Sequence, residues 1–227
     1  MPFDEVIFGA GIYSPREAAR LVGGSAQEVL RWTRGNGPTD PLWKAHYQFL
    51  DDTTELSFLD LIEVRVVKAL RRSGVSLQAI RFALSFAETR FEVSRPLATR
   101  SFKLLGGEIL MDAIENDGEL VSLSKKNPGQ KVFSEIVKQS LNDLDYEDDY
   151  VARWRPSTAQ HVVIDPKRLF GTPILDDFGL STQMVFREFL EFQDARYLSK
   201  IYEVPLRYIN DAIKFEQRLD AAQEMNG

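Results

Sequence analysis

Apolar and polar positions repeat with helical spacing over most of this chain. Ala18, Leu21 and Val22 share one face of a first helix. Its start signal is strong: Ser14 can cap it, Pro15 takes the first position, and Glu17 lies three residues after the cap. Gly23-Gly24 ends this helix, and Ser25 with Glu28 starts a second. In that second helix Val29, Leu30 and Trp32 turn inward, while Gln27, Arg31 and Arg34 recur on the opposite side. Gly35-Asn36-Gly37-Pro38 breaks it, and Pro41 keeps the chain extended. Residues 42–56 mix aromatics with charge and read as a wing, a loop or hairpin beside the second helix. Ser57 opens a long helix with Phe58, Leu61, Ile62, Val66, Ala69 and Leu70 apolar, enough to run through a core. Ser73-Gly74 ends it. From Ser76 another stripe follows (Leu77, Ile80, Leu84, Ala87, Phe91), stopped by Pro96.

Residues 101–123 read as short strands with turns at Gly106-Gly107 and Asn116-Asp117-Gly118, and Asn127-Pro128-Gly129 is a further turn. A helix over 132–141, an acidic connector over 143–149 and strands at 150–154 and 162–164 come next. Three helices close the chain, over 182–191, 195–202 and 206–222. The last two, hinged at Glu203-Val204-Pro205, have the layout of a helix-turn-helix. The expected fold is α+β and mostly α-helical. Its expected segments are 1–95, a winged helix-turn-helix; 96–160, a mixed connector; and 161–227, strands followed by three helices.

Charge qualifies this picture. The net charge is −6, yet residues 1–105 carry +2 and the remainder −8. A slightly basic reader with an acidic attachment can still dock on DNA, because local potential decides docking. The acidic excess serves solubility or meets a basic protein partner. There is no cysteine, which excludes disulfides, thiolate metal sites and cysteine nucleophiles and fits a cytoplasmic protein. No apolar run approaches the roughly 20 residues of a membrane span. Met1-Pro2-Phe3-Asp4-Glu5 lacks the basic start of a signal peptide.

The first helix pair has the layout of a helix offered to the major groove. Arginine can bind guanine bidentately and glutamine can bind adenine, so Gln27, Arg31 and Arg34 are the candidate DNA contacts. Lys44, His46 and Tyr47 are candidate backbone contacts from the wing. Trp32 and Trp43 read as packing anchors. Gly9-Ala10-Gly11 after Val6-Ile7-Phe8 begins like a dinucleotide fingerprint, but Ser14 holds its third glycine position and no βαβ unit follows. Glu147-Asp148-Asp149 does not present one concave oxygen shell, and His46 and His161 have no partner at ligand spacing. No nucleophile motif stands out. No enzyme activity, metal or cofactor is expected.

Tyr13-Ser14-Pro15-Arg16-Glu17-Ala18-Ala19 and Leu70-Arg71-Arg72-Ser73-Gly74-Val75-Ser76-Leu77-Gln78-Ala79-Ile80 make residues 12–90 resemble a MerR-type winged helix. The resemblance implies DNA binding and transcriptional regulation. Two departures are the sparse basic wing and the helix cut short by Pro96, where the family dimerises through a long one. The C-terminal part resembles a small prokaryotic domain found in antitoxins. That likeness rests on Val163-Ile164-Asp165-Pro166, Phe170-Gly171-Thr172-Pro173-Ile174, Gly179-Leu180-Ser181-Thr182, and the run from Ala195 through Pro205 to Ile209-Asn210-Asp211-Ala212-Ile213-Lys214-Phe215-Glu216. The family often has a glycine where this chain has Gln193 or Asp194.

Together the halves resemble VapB-type antitoxins. This implies a homodimer that binds a cognate PIN-domain ribonuclease toxin and represses its operon on double-stranded operator DNA. Arg153 and Arg155 would then be toxin contacts, neutralising the carboxylates that hold a toxin's metal. The other reading places them on an edge strand pairing with nearby acids. The helix pair over 195–218 is either a dimer surface or a second DNA reader. Asp194, Glu203, Asp211 and Glu216 favour protein contact. The alternative to an antitoxin is a stand-alone MerR-like, ligand-responsive transcriptional regulator.

Overall fold

The computed structural model describes residues 9–116 and 130–224. The Asn127-Pro128-Gly129 turn and the Val6-Ile7-Phe8 segment lie outside them. The fold is mostly helical α+β with two small antiparallel sheets. Helices α1 (Pro15–Val22) and α2 (Ala26–Arg34) both begin with a complete capping box, Ser14 with Glu17 and Ser25 with Glu28. Between them Gly23 adopts φ 67, the left-handed conformation that glycine tolerates. A Cβ there would also come within 2.9 Å of Arg72 Nη2.

No hairpin wing follows. Residues 43–47 alternate instead, with Trp43, Ala45 and Tyr47 buried and Lys44 and His46 exposed, and lead into one helical turn, α3 (Gln48–Asp51). Three buried side chains on one side draw this stretch onto the core.

Helix α4 (Phe58–Arg72) crosses that core, with Leu61, Ile62, Val64, Val66 and Val67 fully buried. Asp60 lies on it with no exposure. Its carboxylate accepts from the Ser57 hydroxyl (2.8 Å), Trp43 Nε1 (3.0 Å), the His46 amide (2.9 Å) and Arg95 Nε (2.7 Å). One turn further on, buried Glu63 accepts from the Leu97 amide at 2.8 Å, and its other oxygen has no hydrogen-bond partner among the described residues. Burial pushes this carboxyl up to about 8, against the pull of Arg95 and the backbone donors.

Helix α5 (Leu77–Phe91) and a 3-10 turn (Pro96–Ala98) precede α6 (Arg100–Asn116). Over the described residues 101–116 the expected strands do not form; the rest of that stretch, with the Asn116-Asp117-Gly118 turn, lies outside the described residues. Gly106 and Gly107 sit inside α6 because a Cβ on Gly107 would overlap Ser134 of α7 (Gln130–Leu141). Gly107 serves a close helix approach, a Cβ on Gly106 would meet the Phe102 ring of the same helix at 2.8 Å, and the turn reading fails for these reasons. The acidic connector is also corrected: β1 (Leu144–Glu147) pairs antiparallel with β2 (Tyr150–Trp154). Arg65 of α4 ties this sheet down, reaching Asp143 at 2.7 Å and lying 4.4 Å from the Trp154 ring.

A second sheet orders β3 (Val162–Val163), β4 (Ile174–Leu175) and β5 (Leu180–Ser181). Helices α8 (Thr182–Phe192), α9 (Ala195–Ile201) and α10 (Leu206–Glu224) cover it, each within two residues of its expected span. Gln193 takes the left-handed conformation, φ 53, at the turn where the resembled family often has glycine.

Two apolar clusters result, and Leu21 packs against both. Tyr13 donates to the Gly171 carbonyl at 3.0 Å, joining the N-terminal stretch to the C-terminal sheet. Arg20 of α1 pairs with Glu216 (2.8 Å) and Asp220 (2.6 Å) of α10.

Replacing Asp60 by alanine strands the Arg95 guanidinium and three N–H donors, Trp43 Nε1 and the His46 and Ser57 amides. Urea unfolding should show a loss of about 3–5 kcal/mol; a loss under 1 kcal/mol would contradict the hub. Glu63 titrates near 4.5 when unfolded and about 8 when folded. The folded state therefore holds the extra proton, and stability falls as pH rises through that window. Glu63→Gln should flatten this decline, gaining on wild type at pH 8 relative to pH 5. Parallel pH profiles of unfolding would contradict the assignment.

Candidate nucleic-acid interface

The α1–α2 pair sets the geometry of the candidate site. Val29, Trp32 and Thr33 anchor α2 to the core, and Trp32 and Trp43 are both buried packing residues as expected. With that side fixed, Gln27 and Arg31 project to solvent one turn apart. Neither side chain has a hydrogen bond or ion pair among the described residues. Glu28, the acid on this helix, is held by Lys68 at 2.7 Å. Burial opposes its ionisation, but hydrogen bonds from Lys68 and Ser25 prevail and hold the carboxyl below its usual range. The helix therefore offers donors without a free carboxylate beside them.

The other expected contacts separate from this pair. Arg34 is half-buried and folds back on Asp52, with a 2.6 Å ion pair and bonds to the Asp52 and Thr53 carbonyls. It closes the loop after α3. Tyr47 is corrected outright: it is 1% exposed, its hydroxyl donates to the Gly11 carbonyl, and burial raises its pKa to about 12. A phenol in the core cannot touch a phosphate. Lys44 and His46 remain exposed, on the outward positions of the alternating stretch.

Sequence reasoning missed Arg81. It shares a shallow cleft of about 340 Å³ with Arg31, Asn36 and Thr39, and it donates to the Pro41 and Asp40 carbonyls at 2.6 and 2.8 Å. The available signal was its place on the polar side of the α5 stripe.

Arg153 and Arg155 lie on and just beyond β2. Arg155 is held between Asp145 (2.8 Å) and Asp176 (2.6 Å). Arg153 makes longer 3.4 Å pairs with Asp145 and Glu147. The side chains pair with nearby acids, as the edge-strand reading has it. Among the described residues no cluster of His, Asp or Glu has the makings of a metal site, and no helix is long and apolar enough to cross a membrane.

No family model matches the chain. Over 195 residues it is 28% identical to a Mycobacterium tuberculosis protein named "Putative antitoxin VapB45", across 78% of this chain and 81% of that protein. This is distant homology. The fold matches the crystal structure of Rv2018 from Mycobacterium tuberculosis with a TM-score of 0.72 and 24% identity, covering 91% of this chain and 98% of that one.

Proposed function

We propose that this chain is the antitoxin of a type II toxin–antitoxin module, which neutralises a PIN-type ribonuclease toxin and represses its own operon. The distant relation to a protein named as an antitoxin supports the class. The observation that carries the DNA-binding half is the uncommitted Gln27–Arg31 face on a doubly capped helix pair.

In this reading residues 1–95 are a MerR-like reader, 96–160 a connector, and 161–227 the antitoxin-associated unit. Arg31 contacts a guanine edge or a phosphate, Gln27 an adenine, and Lys44 and His46 the flanking backbone. A homodimer places two readers on adjacent half-sites, so two modest contacts act with a high effective concentration. A toxin's metal-binding carboxylates would compete with Asp145 and Glu147 for Arg153, whose long pairs exchange more readily than those of Arg155.

The ligand-sensing alternative has one observation in its favour. A cleft of about 370 Å³ between α1, α4 and α7 is lined by Leu21, Val22 and Trp154 and by Arg65, Lys68 and Arg72, which Asp143, Glu28 and the Gly23 carbonyl already engage, so an anionic effector would have to share these cations.

Co-expression with the product of the neighbouring gene distinguishes the two readings. A stable complex, with that product toxic when expressed alone, supports the antitoxin; no complex and no toxicity overturns it. Within such a complex, Arg153→Glu should weaken toxin binding at least tenfold. Unchanged affinity would place the toxin contact elsewhere. Arg31→Ala, a solvent-facing change costing under about 0.5 kcal/mol of stability, should reduce operator affinity roughly tenfold by gel shift. Undiminished binding would remove α2 as the reader.

A further inference from the structure

We propose that α9 and α10 form a second DNA-contacting unit. The proposal extends the DNA-binding reading above and assigns it a second surface. Four acids, Asp194, Glu203, Asp211 and Glu216, favoured a protein partner for this pair when judged from sequence. The structure engages three of them locally. Asp194 caps α9, accepting from the Arg196 and Tyr197 amides. Asp211 lies 2.6 Å from His161 Nδ1. Glu216 is 1% exposed and is engaged by Thr182 and Arg20. Glu203, at the turn, and the capping Asp194 stay exposed.

The uncommitted charges that remain outward are mostly basic. Arg196 and Lys200 are exposed one turn apart on α9. On α10, Arg207, Asn210, Lys214 and Gln217 fall at helical spacing along one side, all exposed except half-buried Asn210. None of these four cations forms an ion pair among the described residues. Arg, Asn and Gln at such spacing are the side chains that read base edges, and the lysines suit phosphates.

The backbone presents this face in a defined way. The turn between the helices is fixed by the Val204 amide on the Ser199 carbonyl (3.1 Å) and the Ser199 hydroxyl on the Val204 carbonyl (2.7 Å). Leu198, Ile209 and Ala212 are fully buried behind it. Pro205 immediately precedes the first residue of α10. This is the connection of a helix-turn-helix, with α10 as the helix offered to the groove.

The two units also share one support. Arg207 lies nine residues before Glu216, about 14 Å along the helix axis, and Glu216 is the residue that holds α1. The second surface is thus carried by the helix that holds α1, the partner of the α2 reader.

The test uses the full-length chain, a DNA fragment from upstream of its own operon, and anisotropy titrations across a salt series. Arg207→Ala/Lys214→Ala should weaken binding about tenfold or more and lower the salt slope by roughly two. The hydroxyl-radical footprint should shorten on one side. A paired variant, Gln27→Ala/Arg31→Ala, separates the two readings. Loss in both variants supports two contact surfaces. Loss only in the α2 variant overturns the second unit and leaves the first. Loss only in the α10 variant keeps this proposal and removes α2 as reader. No binding by wild type overturns both. A change from dimer to monomer in the α10 variant, with DNA affinity per dimer unchanged, identifies the face as a protein interface and overturns the proposal.

Discussion

The Asp60 carboxylate is the constraint on which the N-terminal half depends. Hydrophobic burial is non-directional, and α4 alone, apolar on nearly every side, could settle in several rotations. Asp60 removes that freedom. It meets the cap of its own helix at Ser57, the stretch after α2 at Trp43 and His46, and the segment before α6 at Arg95. Three distant pieces of chain must therefore converge at one rotation of α4. Glu63, one turn on, fixes the 3-10 turn at Leu97 in the same way. A buried ionic hub gives little net stability over an apolar one of equal shape; what it supplies here is register. That register holds Trp32 and Trp43 in place and leaves Gln27 and Arg31 facing water.

The elements that could be read from sequence are those whose causes are local. Ser14 with Glu17 and Ser25 with Glu28 act over three residues, so both capping boxes and the turn between them were legible. The spans of α4, α5 and α8 to α10 followed from apolar spacing in the same way. What failed had a non-local cause. Gly106-Gly107 reads as a turn because glycine disfavours helices, and only Ser134, on another helix, explains why Gly107 is needed inside one. The hairpin option for residues 42–56 does not form, because nothing near them announces that Asp60 will draw Trp43 inward. β1 was hidden in acids that reside beside Arg153 on the next strand and Arg155 just beyond it.

The same division governs the candidate sites. Periodicity named the exposed side of α2, and Gln27 and Arg31 are on it. It could not show that Arg34 is engaged by Asp52, eighteen residues away, or that Tyr47 closes on Gly11. On α10 the error ran the other way. Counting Asp211 and Glu216 as surface acids made the helix look unsuited to phosphates, while their partners, His161 and Arg20, lie 50 and 196 positions upstream. Sequence shows which face a residue occupies; the net charge of that face depends on pairings it does not display.

Those pairings also bear on how the halves communicate. Arg20 joins α1 to α10 through a carboxylate that is almost wholly buried, and Tyr13 makes a second junction at Gly171. A joint that buries a charged partner resists sliding, because separation would leave Glu216 unpaired away from water. An element transmits a binding event only if it has two arrangements to choose between, and this one is built for a single arrangement. Under the proposed function, toxin occupancy would then alter DNA binding by covering a face or by changing how two copies pair. Bending between the N-terminal and C-terminal helix pairs is the route this joint disfavours.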